Sequence, residues 1–245
     1  MAELPQWQSL DAGVPVPNGR SPGSIVAMVA SAGAVEAGWA GTAALDLARA
    51  WSRGGEKVIL VDGVLHDPTL HTFVETDNVE GLSDAALFGL SVGRIARPVD
   101  GGSFFLITAG TAVADANAVA ASPRWGSLLG GFLEAGVKLL LFVRDGDSGC
   151  SAFLGSASDI IVLADEHESS PAAVRDLEGL VRAVVGRSGE AVSPASELRP
   201  PQDWMASGPG GRRRIALLAA GVVLVVLLLL VAFGVIPLPG VSVGG

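Results

Sequence analysis

Five uninterrupted apolar runs, Ile25–Ala30, Val58–Val61, Phe104–Ile107, Leu139–Val143 and Ile160–Leu163, constrain the fold of this chain more than any other feature. Continuous rather than alternating apolar runs of strand length suit strands buried on both faces of a mainly parallel sheet. Such a sheet needs helices on both sides, and the intervening sequence supplies them. Ala44, Leu47, Ala48 and Trp51 fall at the i, i+3, i+4, i+7 spacing of one helical face. Ser122–Pro123 reads as an N-cap followed by proline at the first helical position, with Trp125, Leu128, Leu129, Phe132 and Leu133 as the apolar stripe behind it. Ser170–Pro171 gives the same start signal before Val174, Leu177, Val181 and Val184, which predicts another helix. Strands alternating with such helices predict a doubly wound α/β domain with right-handed crossovers.

The chain divides by composition into five parts. Residues 1–23 form a proline-rich arm, expected to be extended and to gain order against a partner surface. The α/β domain occupies 24–186, and a Gly-, Pro-, Ser- and Arg-rich linker follows over 187–214. From Ile215 onward there is no charged side chain. Residues 215–236 would span about 33 Å as a helix, against a hydrocarbon core of about 30 Å, which predicts a single transmembrane helix. Arg212, Arg213 and Arg214 abut its start, and the tail, 237–245, carries no basic residue. By the positive-inside rule the folded domain faces the cytoplasm and the C-terminus lies outside, with the bilayer as one partner and anionic headgroups near the arginines.

Charge and cysteine content exclude some classes. A net charge of −9 and no clustered basic face on the domain argue against nucleic-acid binding. Cys150 is the lone cysteine, so no intramolecular disulfide is possible and a bystander thiol in a reducing compartment is expected.

The candidate site lies in Ser24–Val64, which reads as strand, small-residue loop (Ser31–Gly41), helix and a second strand ending on Asp62. A phosphate-binding loop in that setting presents backbone N–H groups to phosphate, while a lysine at its end reaches the terminal oxygens. The chain's lysines are Lys57 and Lys138, each at the start of a strand. Neither belongs to the loop. His66 and His71 with Asp67 lack the i, i+4 spacing of a helical metal pair, and Asp145 and Asp147 read as a polar turn at a strand end. No cofactor or metal is expected.

The order of VILVDGVLHDPTLHTFV (58–74), GLSDAALFGLSV (81–92), LITAGT (106–111), ASPRWGSLLGGFL (121–133) and SASDIIVLAD (156–165) resembles the cytoplasmic ATPase domain of bacterial tyrosine kinases and chain-length regulators of exopolysaccharide assembly, within the MinD/ParA-type deviant P-loop group. The resemblance implies a P-loop NTPase-like fold over about residues 24–186 and a bacterial cytoplasmic membrane location. It also implies what has been lost. The lysine position falls on Ala40, the magnesium-binding hydroxyl on Gly41 and the preceding glycine on Trp39. Asp62 keeps the first aspartate of the next motif, whereas Val64 replaces the second. Val143–Arg144 stands where the family has a carboxylate ending its fourth strand. Phosphoryl transfer depends on such positioned charges, so a non-enzymatic domain without bound nucleotide is expected. The chain has no tyrosine, so the tail autophosphorylation of the kinases has no acceptor here. Trp39 can plug the vacated pocket or anchor a partner, and plugging is favoured because it removes a cavity.

These features predict a scaffold subunit of a larger bacterial membrane complex, docking through its pseudo-ATPase domain to integral membrane subunits. A photosynthetic or respiratory assembly is one candidate host. The alternative is a regulatory pseudo-kinase of exopolysaccharide polymerisation and export.

Overall fold

A computed structural model describes residues 4–10, 13, 15 and 23–187. The predicted transmembrane segment 215–236, Arg212–Arg214, the linker beyond 187 and the tail lie outside these residues. Among the described residues no helix is long and apolar enough to cross a membrane.

The elements run β1 (Trp7–Ser9), β2 (Ser24–Ala30), α1 (Ala32–Glu36), α2 (Ala40–Arg53), β3 (Lys57–Asp62), α3 (Leu70–Phe73), α4 (Leu82–Phe88), α5 (Val92–Ile95), β4 (Ala96–Val99), β5 (Phe104–Ile107), α6 (Ala116–Ala120), α7 (Pro123–Glu134), β6 (Val137–Arg144), α8 (Cys150–Leu154), β7 (Asp159–Leu163) and β8 (Val181–Gly186). They build one eight-stranded sheet in the order β1-β8-β7-β2-β6-β3-β5-β4. Every pairing is parallel except β4 with β5. The five apolar runs became β2, β3, β5, β6 and β7, the contiguous interior of this sheet.

Alternate residues of β2 serve opposite cores. Ile25, Ala27 and Val29 join the cluster that includes Leu82, Val119, Trp125 and Phe153, whereas Val26, Met28 and Ala30 join the cluster formed with α2. That two-sided burial is the reason no polar residue interrupts the strand. On α2, Ala44, Leu47, Ala48 and Trp51 are all buried, as their spacing requires. On α7, Trp125, Leu129 and Phe132 are buried, but Leu133 is 38% exposed and lies off the stripe.

Three expectations are corrected. Pro171 is followed not by an α-helix but by a 3-10 segment, Ala172–Leu180, interrupted at Leu177, and then by β8. In Val181–Gly186 a period of two wins: Val181, Ala183 and Val185 are buried while Arg182 is exposed, and the strand pairs with β7. Residues 7–9 of the N-terminal arm find a surface on their own chain, where β1 pairs with β8 from Trp7↔Val184 to Ser9↔Gly186. Trp7 Nε1 donates to the Ala164 carbonyl at 2.9 Å, and Trp51 Nε1 donates to the Pro15 carbonyl at 2.8 Å. Third, the small-residue loop Ser31–Gly41 contains a short helix, α1.

Candidate functional site

The loop after β2 is closed by side chains of the same chain. Ser31 caps α1, its Oγ accepting from Ala34 N–H at 3.2 Å. The Glu168 carboxylate reaches over from the segment after β7: Oε1 accepts from Gly33 N–H at 2.9 Å, and Oε2 accepts from the Ser31 hydroxyl. A Cβ on Gly33 would lie 2.9 Å from Glu168 Oε2, so glycine permits this approach. The Gly33 and Ala34 N–H groups in the first turn of α1 are thereby satisfied internally, which favours a helix where a loop was expected.

At the far end of the loop the side chains are packed against one another. Trp39 is only 8% exposed and joins one apolar cluster with Ala34, Ala40, Val64, Leu70 and Leu163. The indole lies inward. Phe73 of α3 covers Gly41 so closely that a Cβ there would lie 2.5 Å from its Cε2. The residue at 41 must therefore be small. Lys138 pairs in register with Ser24 and Val58, and Lys57 opens β3. Six residues of β2 separate that end of the sheet from the loop, about 20 Å of strand, so neither lysine approaches it.

Asp62 is fully buried at the end of β3. Its Oδ1 accepts from Val64 N–H at 3.1 Å and its Oδ2 from Leu70 N–H at 3.2 Å, so the carboxylate ties the chain after β3 to the start of α3. Burial pushes its pKa up to about 7, and the two backbone N–H donors and the Arg144 guanidinium resist that rise. Arg144 ends β6, with Nε 2.9 Å from Asp147 Oδ1 and Nη1 3.5 Å from Asp67 Oδ2. A cation therefore stands beside Asp62 at the strand end where the resemblance implies a carboxylate.

Asp145 does not face this site. Its two carboxylate oxygens accept from Ala172 and Ala173 N–H at 2.9 and 3.0 Å, capping the 3-10 segment. Cys150 is buried, and burial together with the nearby Asp145 and Asp147 charges pushes its pKa up to about 12. His66 is exposed and His71 lies on α3; among the described residues no group of three or more His, Cys, Asp or Glu side chains is arranged to hold a metal ion.

The GLSD stretch forms a second polar knot. Asp84 Oδ2 accepts from Gly81 and Thr111 N–H at 2.9 and 3.0 Å, and Asn78 exchanges two hydrogen bonds with Gly110 at 2.9 and 3.1 Å. Burial raises the Asp84 pKa, but the Thr111 and Gly81 hydrogen bonds outweigh it and hold the group below its ordinary value. This knot ties α4 to the end of β5.

Sequence reasoning placed Trp39, Ala40, Gly41, Asp62 and Val64 near one another, and the fold gathers them at the C-terminal ends of β2 and β3. It missed Phe73 and Glu168. The small residue at 41 was the available signal for Phe73; nothing local marks Glu168 for the loop, since its partners there, Ser31 and Gly33, are more than 130 positions away.

This is a doubly wound, mostly parallel α/β domain, with the loop end of its sheet filled by apolar side chains. No family model and no curated protein sequence matches the chain. Among solved structures, the fold is similar to the chimerical protein CapA2B2, with a TM-score of 0.59 at 18% identity over 71% of this chain and 79% of that one. It is also similar to the kinase domain of the Escherichia coli tyrosine kinase ETK, with a TM-score of 0.59 at 13% identity over 69% of each chain. The VpsO kinase domain gives a TM-score of 0.56 at 17% identity over 68% of this chain and 86% of that one. The fold is thus similar to those of the ETK and VpsO kinase domains.

Proposed function

We propose that this chain is a catalytically silent, membrane-anchored regulatory subunit, built on a tyrosine-kinase-type α/β domain, within a bacterial membrane assembly for exopolysaccharide polymerisation and export. The observation that carries this reading is the filled loop: Trp39 is buried, Ala40 is apolar and Phe73 lies against Gly41. A γ-phosphate and its magnesium ion need lysine, hydroxyl and carboxylate groups held in place, and these residues offer none of the first two. The domain then acts by shape, docking to membrane subunits while the helix predicted at 215–236 holds it at the inner face of the cytoplasmic membrane. The kinase-domain neighbours favour the exopolysaccharide setting over an energy-transducing host, for which no observation here speaks.

Titration of the full-length chain in mild detergent with ATP and Mg²⁺ tests the reading. No saturable binding at micromolar ATP is expected; micromolar binding that Asp62→Ala removes would overturn it. Proteins co-purifying after gentle extraction identify the host. Glycan polymerases and exporters support the proposal, and electron-transfer or pigment proteins instead establish the energy-transducing alternative.

A further inference from the structure

Three arginines of the described residues are partly buried: Arg49, Arg97 and Arg144. Two of them are pinned by acids on both sides. Arg49 lies 2.6 Å from Asp100 and 3.2 Å from Asp46, and Arg144 bonds Asp147 and Asp67. Arg97, on β4, has no carboxylate within ion-pair distance among the described residues. Asp100, which shares its cleft, is committed to Arg49. A guanidinium drawn partly out of water normally recovers its lost hydration from a fixed acceptor. Among the described residues that acceptor is missing.

Arg97 lines a surface cleft of about 180 Å³ between α2, α3 and β4. Phe73, Val74, Pro98 and Val99 make its apolar side, and Thr76 adds a hydroxyl-bearing residue to its polar side. Phe73 is 40% exposed, so an aromatic face is open to solvent beside a cation. The backbone around the cleft is also unusual. Among the described residues, those other than glycine with left-handed φ are Glu75, at 51°, and Asp100, at 49°. Asp100 lines the cleft and Glu75 stands between the lining residues Val74 and Thr76. Such conformations cost free energy and concentrate where a surface is shaped for a task.

We propose that this cleft binds an oxyanion, a carboxylate or phosphate, that carries an apolar or aromatic body. Arg97 takes the oxyanion through the parallel N–H donors that suit carboxylate and phosphate geometry. Phe73 and the flanking Val74 and Val99 take the body. The net charge of −9 gives the molecule no general attraction for anions, so affinity must come from these local contacts. The site shares Phe73 with the packing over Gly41, but its cation, Arg97, takes no part in the loop after β2, and the proposal does not require that loop to be silent.

The test uses the full-length chain in mild detergent, with phenyl phosphate and inorganic phosphate as probes, read by isothermal titration calorimetry. Phenyl phosphate is expected to saturate at submillimolar to millimolar concentration and to bind at least tenfold tighter than inorganic phosphate. Arg97→Gln should weaken phenyl phosphate at least tenfold, Arg97→Lys should weaken it less, and Phe73→Ala should bring it to the level of inorganic phosphate. Arg94→Gln, which alters an exposed arginine paired with Glu80, should leave it unchanged. Thermal unfolding of each variant establishes that it is folded. No binding by the parent chain, or undiminished binding by folded Arg97→Gln, overturns the site; equal affinity for the two probes overturns the role of the aromatic wall.

Discussion

Replacing Asp62 with Asn should change how stability depends on pH, in a direction fixed by the burial of that carboxyl. An aspartate in the unfolded chain releases its proton near pH 3.8, whereas in the fold burial raises that value to about 7. Below pH 3.8 both states hold the proton. Between about 4 and 7 the native state binds more protons than the unfolded state, so Asp62 lowers stability progressively as pH rises. Above about 7 both are ionised and the penalty is complete. A shift of about three pKa units corresponds to ~4 kcal/mol as an upper value, at about 1.4 kcal/mol per unit. Asn is neutral throughout and can keep an oxygen for the Val64 N–H, but its amide faces the Leu70 N–H with a donor. That mismatch adds a roughly constant cost of about 1–3 kcal/mol. The informative quantity is therefore the slope. Urea unfolding followed by tryptophan fluorescence at pH 4.5, 6.0 and 7.5 should show Asp62→Asn gaining on the parent chain by about 1 kcal/mol per pH unit. A difference that stays flat within about 0.5 kcal/mol across this range refutes the argument.

Gly41→Ser, which restores a hydroxyl to the loop, should destabilise by about 1–3 kcal/mol because its Cβ meets Phe73, and Phe73→Ala should relieve much of that cost in the double variant. A double-mutant cycle from denaturant unfolding gives the coupling. Gly110→Ala combines a φ of +84° with a Cβ 2.3 Å from Asp84 Oδ2, and should cost more than about 3 kcal/mol, visible as a large drop in Tm. Native Cys150, buried with a pKa pushed up to about 12, should resist iodoacetamide at pH 8 until denaturant is added, and mass spectrometry of the alkylated chain measures this.

The interior of the sheet was legible because its strands are buried on both faces and so are apolar throughout except toward their ends, as at Ser24, Asp62 and Lys138. The edges were not. The edge strands β1 and β4 are short, and β8, between β1 and β7, carries an exposed Arg182 and follows a Ser–Pro pair that imitates a helix start. Asp145 read as a turn residue, and its work as a cap for Ala172 and Ala173 depends on chain 27 positions away. At the candidate site Trp39, Ala40, Gly41 and Val64 stood out because each departs from the motif of the resembled family, and Asp62 because it keeps it. Phe73 and Glu168 act through the backbone space left by Gly41 and Gly33, and no spacing within the sequence encodes that.

The pairing of β1 with β8 has a consequence for the order of assembly. Trp7 and Val184 are neighbours in the sheet, 184 − 7 = 177 positions apart along the chain. During synthesis the arm emerges first, yet its docking edge exists only after β8 has left the ribosome and paired with β7. Residues 7–9 therefore wait through translation of the whole domain. Held by three residues of ladder and one indole hydrogen bond, they are also the first structured segment to be released when the domain opens from its edge.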